Sequence, residues 1–183
     1  SELKSNLGFT MAFPRTNSSL NEITKEYAFL TRNRKAAALD GRTFFLYMGF
    51  LISQQPYTDT AQFNKKHLIA RRDELLREIV EGPEFKNSPP TFPQTTPDSL
   101  FTITHKVINH DNAYGVELFG QWGVVDSLDR PYGMGGPFMS LTVLDEQHQR
   151  LITADAYVYA PNTYLREYMR ELRTILYSLA IDQ

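Results

Sequence analysis

Tyr132-Gly133-Met134-Gly135-Gly136-Pro137-Phe138 packs three of the chain's ten glycines into four residues. It lies between an apolar alternation that ends at Trp122 and another that starts at Phe138. A glycine-rich loop can cradle phosphate with its backbone N–H groups, but a phosphate loop runs on into Lys-Ser/Thr and a helix N-terminus. Here Pro137 and Phe138 follow, the proline removes a donor, and the next segment has the pattern of a strand. The stretch therefore predicts a tight, positive-φ connection that brings the Trp122 and Phe138 strands close together. Tyr132 and Met134, with Trp122 beside them, form a candidate contact lip.

Downstream, 138–144 and 150–160 alternate as two strands around the polar turn 145–149. Pro161-Asn162 ends the second strand and offers a helix cap. A helix over 163–179 then places Leu165, Tyr168, Met169, Leu172, Ile175, Leu176 and Leu179 on one face. Upstream, Phe101, Ile103, His105 and Val107 alternate toward the turn 109–112, and Tyr114, Val116, Leu118 and Trp122 alternate on the way back, which predicts a long hairpin. The segment 83–97 holds five of the ten prolines and is expected to cross the surface in extended form. A helix over 59–81 begins with Asp59 and Gln62 spaced as a capping box. Earlier still, 7–13 and 27–31 alternate as strands, 16–19 is a polar loop, 32–41 is a charged connection, and the apolar run 43–52 is a central strand.

The element order is βββ-α-ββββ-α. It predicts one α+β domain over 1–183, with a largely antiparallel sheet of about six to seven strands and two amphipathic helices. The helices share one sheet face or take opposite faces; the pattern allows both. A chain of 183 residues, 42% hydrophobic, can bury a core without disulfides or metals. The absence of cysteine removes disulfides, thiolate metal ligands and thiol nucleophiles. A net charge of −2 supplies no field to attract nucleic acid.

Pro56-Tyr57-Thr58-Asp59-Thr60, Leu68-Ile69-Ala70-Arg71-Arg72-Asp73, Trp122, the glycine stretch through Phe138 and Tyr157-Val158-Tyr159-Ala160-Pro161 carry a family resemblance. Together with Leu172, Ile175, Leu176 and Leu179, they resemble the C-terminal half of domain-of-unknown-function family 4837. The chain departs from that pattern at Ala156, where the family has glycine before the aromatic residue of its penultimate strand. The resemblance implies a lipoprotein of Gram-negative gut bacteria: a chain that is the C-terminal part of a longer protein, lipid-anchored in the cell envelope (periplasm or outer membrane). It implies no reaction and no catalytic residues.

The residues themselves argue in the same direction. His67, His105, His110 and His148 include no i, i+4 pair and no His-Glu-x-x-His, so no metal site is expected. Gly-x-Ser-x-Gly is absent, and the one Ser-x-x-Lys, Ser1 to Lys4, comes without the Ser-Asp-Asn and Lys-Thr-Gly that accompany it in serine enzymes of that kind. No motif calls for a cofactor. Glu117, Asp126, Asp129 and Asp155 are the carboxylates that could act in pairs, as in a hydrolase of an envelope or dietary polymer. Arg72 lies within the apolar face of the first long helix, at i+4 from Leu68 and i−4 from Leu76. A charge in that position snorkels to water or finds a partner, and Asp155 and Glu117 are the candidate partners. Arg166, Arg170 and Arg173 are interleaved with Glu167 and Glu171, the pattern of a solvated face. The expectation is a non-catalytic binding or scaffolding domain with an envelope protein or glycan as partner. The membrane is involved only through a lipid anchor ahead of Ser1.

Overall fold

The computed structural model describes residues 2–14, 18–37, 40–161 and 163–181. In chain order the elements are α1 (Glu2–Leu7), β1 (Phe9–Thr10), β2 (Ser18–Ile23), β3 (Tyr27–Ala37), β4 (Thr43–Pro56), a 3-10 turn (Thr60–Phe63) and α2 (Lys65–Ile79). There follow β5 (Thr91–Thr95), β6 (Thr104–His110), β7 (Ala113–Asp126), β8 (Pro131–Asp145), β9 (Arg150–Tyr159), α3 (Arg166–Leu176) and β10 (Ala180–Ile181). The eight-stranded main sheet runs β2-β3-β4-β9-β8-β7. β5 and β6 lie end to end along the outer edge of β7, against Trp122–Asp126 and Ala113–Phe119 respectively. All of these pairings are antiparallel. The α+β architecture expected from the alternations is the one found.

The helices take opposite faces. Even-numbered residues of β4 and β9, among them Met48, Phe50, Ala154 and Ala156, pack in one cluster with Leu3 and Leu7 of α1 and with Leu172, Ile175 and Leu176 of α3. Leu51, Leu151 and Tyr157 point the other way and join Leu68, Leu75 and Leu76 of α2. The alternation in these central strands is therefore apolar on both sides, as covered strands require. Asp59 and Gln62 do form a capping box, but on the 3-10 turn. Asn64 then restarts the chain as α2 by accepting from the His67 amide at 2.9 Å.

Several expected boundaries move. Of the segment 7–13, Leu7 ends α1, Phe9 and Thr10 form a two-residue strand and the rest is irregular, because Leu7 and Phe9 are buried under the sheet rather than in it. The charged stretch after Thr31 continues β3 to Ala37, paired along β4 from Thr31↔Gly49 to Ala37↔Thr43. Cross-strand pairing there overrides a polar local composition. Ser18 and Ser19, assigned to a loop by composition, open the edge strand β2. The proline-rich crossing contains β5, with Pro93 on an outermost strand, where a missing N–H costs no ladder bond. Asn162, the expected cap of the last helix, lies outside the described residues, and α3 begins at Arg166 without a side-chain cap.

The largest correction concerns the glycine stretch. It does not connect two strands. It lies inside β8, with Trp122 opposite Gly136 and Gly123 opposite Gly135, and the chain reverses earlier, at 127–130. A β-carbon on Gly135 would sit 2.2 Å from the Trp122 carbonyl, and one on Gly136 would sit 2.1 Å from the Val158 carbonyl. Only glycine permits that approach. Gly133 alone has the expected positive φ, at 65°.

Candidate functional site

On the α2 face, three glycines stand directly opposite three aromatic residues: Trp122↔Gly136, Phe138↔Gly120 and Tyr157↔Gly49. Each ring lies over its glycine. A β-carbon at Gly49 would be 2.3 Å from the Tyr157 ring, and one at Gly120 would be 2.7 Å from the Phe138 ring. The glycines thus let large rings lie flat across neighbouring strands, and Trp122 and Tyr157 meet edge to face at 5.0 Å.

Arg72 of α2 descends onto this floor. Its guanidinium stands 3.8 Å from the centre of the Phe138 ring. Its Nε donates to Asp155 Oδ2 at 2.7 Å, and Nη1 donates to Thr95 Oγ1 at 2.9 Å. Thr95 in turn donates through its amide and its hydroxyl to Asp73 Oδ1, at 2.8 and 2.6 Å. One helix, the central strand β9 and the outer strand β5 are therefore tied by a single chain of polar contacts. Burial pushes the Asp155 carboxyl above the ordinary carboxylate value, and the Arg72 charge opposes the rise. Burial also lifts the Tyr157 phenol well above its usual value, with the Tyr47 hydroxyl 3.5 Å away.

Glu117 is not part of this set. It lies on the α3 face, where Oε2 accepts from the Tyr177 hydroxyl at 2.7 Å and pairs with Arg173 at 3.4 Å. The remaining carboxylates are also separate. Asp126 holds the β7–β8 turn by accepting from the Leu128 and Arg130 amides, the Arg130 guanidinium and the Tyr132 hydroxyl. Asp129 pairs with Arg77 at 2.8 Å. Among the described residues no group of three or more His, Asp or Glu side chains could hold a metal ion.

The expected contact lip folds inward. Trp122 is 3% exposed, and its indole N–H donates to the Val158 carbonyl. Tyr132 and Met134 are half-buried against the same cluster, and the Tyr132 ring stacks on Phe85 at 4.7 Å. Once the glycine stretch is paired as a strand, alternation carries Tyr132, Met134 and Phe138 to the covered face.

Sequence reasoning allows for an exposed sheet edge as an assembly surface but does not say which strand forms it. β6 is bonded on one side only among the described residues. Leu100, Phe101, Val107, Tyr114 and Phe119 are exposed on β6, on the segment leading into it and on β7 beside it. The signal was available in Leu100-Phe101 and Val107, but alternation assigns such residues to a core unless the edge position is known. No helix among the described residues is long and apolar enough to cross a membrane.

No curated protein matches the chain. The family model described as Domain of unknown function (DUF4837) matches residues 1–178, nearly the whole chain, and the chain belongs to that family.

Proposed function

We propose that this chain is a non-catalytic binding or scaffolding domain of the bacterial cell envelope, held at a membrane by a lipid anchor ahead of Ser1. The observation that carries the binding part is the open β6 edge, with Val107 exposed on it, Leu100 and Phe101 just before it and Tyr114 and Phe119 on the neighbouring β7. An unpaired strand edge flanked by apolar groups favours a protein partner, which can add a strand and cover the side chains together. A glycan partner is less well served, since Trp122, the chain's one tryptophan, is buried.

The scattered carboxylates support the non-catalytic part. Asp155, Glu117, Asp126 and Asp129 each have their own cation or hydroxyl partner, and Asp155 and Glu117 lie on opposite sheet faces. The envelope and anchor rest on the resemblance to lipoproteins.

A photo-crosslinker placed at Val107 in the protein with its natural N-terminus tests the edge in native cells. The expected result is a defined adduct with an envelope protein, lost with Phe101→Asp and absent from a crosslinker at Leu20 on the opposite edge. Equal adducts from both edges, or none, would overturn the edge reading. Palmitate labelling and fractionation of the same strain test the anchor, and an unlabelled protein in the soluble fraction would overturn it.

A further inference from the structure

We infer that one buried water occupies the gap between α2 and the sheet, donating to Asp155 Oδ1 and accepting from Arg72 Nη2. A guanidinium beside a carboxylate ordinarily makes two parallel hydrogen bonds. Here Arg72 and Asp155 make one, Nε to Oδ2. Arg72 Nη2 and Asp155 Oδ1 are both buried and have no hydrogen-bond partner among the described residues. Leaving a donor and an acceptor of a buried ion pair unsatisfied is costly, so something small completes them.

The space beside the pair sets the size of that group. It measures about 20 Å³ and is lined by both residues together with Leu51, Ser53, Leu68 and Thr153. One water needs about 10–15 Å³ and two to four polar partners. The chemistry sets the kind. A cation drawn to Asp155 Oδ1 would face the Arg72 charge. An anion drawn to Arg72 Nη2 would face Asp155 and also Asp73, whose Oδ1 is 3.7 Å from Arg72 Nη1. A neutral molecule that both donates and accepts satisfies the two orphan atoms at once, and the volume admits nothing larger than water. The Ser53 hydroxyl borders the same gap and offers a third partner. Both orphan atoms are closed off from solvent, which slows exchange of a water held between them.

The tie between α2 and β9 is then a ring of arginine, water and aspartate rather than a bare ion pair. An atomic-resolution crystal structure should show one spherical peak within hydrogen-bond distance of Asp155 Oδ1 and Arg72 Nη2. Oxygen-17 relaxation dispersion should count one fewer long-lived water in the Arg72→Met/Asp155→Leu double variant than in the wild type. A dry gap with the pair closed into two parallel bonds would overturn the inference, as would an ionic or polyatomic peak or an unchanged water count in a folded double variant. Should that variant fail to fold, the wild-type crystal structure decides alone.

Discussion

Trp122 and Val158 are hydrogen-bonded across a strand that separates them. The Trp122 indole N–H, on β7, donates at 3.2 Å to the carbonyl of Val158, on β9, and the bond passes over Gly136 of β8. Pro137, one step beyond the Phe138–Tyr157 pair, has no N–H to offer that carbonyl. The glycine makes room for the indole, and the indole supplies a donor the proline lacks.

Gly136→Ala should therefore be severe. Its methyl would stand 2.1 Å from the Val158 carbonyl, backbone that cannot yield cheaply. We expect a loss of about 2–3 kcal/mol or more. Gly123→Ala, where the nearest atom is 3.7 Å away, should stay within about 0.5 kcal/mol of wild type. Urea unfolding of the two variants checks the contrast, and equal costs would refute it.

Trp122→Phe keeps most of the ring packing on Tyr157 and removes only the donor. The buried Val158 carbonyl then goes unpaired, at a cost of about 1–3 kcal/mol. Amide hydrogen exchange should show faster opening centred on the β8–β9 pairing, with the β3–β4 pairing less affected.

Arg72 and Asp155 should behave as a unit. Asp155→Leu leaves a buried guanidinium without its carboxylate and should cost about 3–5 kcal/mol. The Arg72→Met/Asp155→Leu double variant should recover most of that loss, because matched apolar groups replace both charges. A double-mutant cycle by chemical denaturation measures the coupling, and additive losses would show that the pair is not one.

Acid should loosen the β7–β8 turn. Burial pushes the Asp126 carboxyl up, but hydrogen bonds from Arg130, Leu128 and Tyr132 outweigh it and hold its pKa at about 2, against an ordinary value of 3.8. A depressed folded-state pKa contributes stability above pH 3.8 and loses it as the pH falls toward 2. Thermal melts between pH 5 and pH 2 should show that loss in wild type and a smaller one in Asp126→Asn.

Much of the sheet was legible because its signals are local. The alternations at Phe101–Val107 and Tyr114–Trp122 lie in β6 and β7 with the segment just before them, and the apolar stripe of Leu172, Ile175 and Leu176 marks the buried side of α3. The glycine stretch was misplaced because what demands glycine there is a carbonyl on another strand, 22 residues away at Val158. Composition likewise hid β3 beyond Thr31, where pairing with β4 outweighs local charge. Arg72 stood out as a charge in an apolar stripe, but choosing between Asp155 and Glu117 needed the register that puts them on opposite faces.

The sequence by itself determined the α+β class, the amphipathic helices and the presence of a charge within the apolar stripe of α2, since periodicity acts residue by residue. Only the tertiary structure decided that α2 faces one side of the sheet and α1 and α3 the other, and that the glycines of 133–136 lie inside a strand beneath an indole. Those outcomes depend on which strands meet and in what register, and register is set by contacts between residues far apart in the chain.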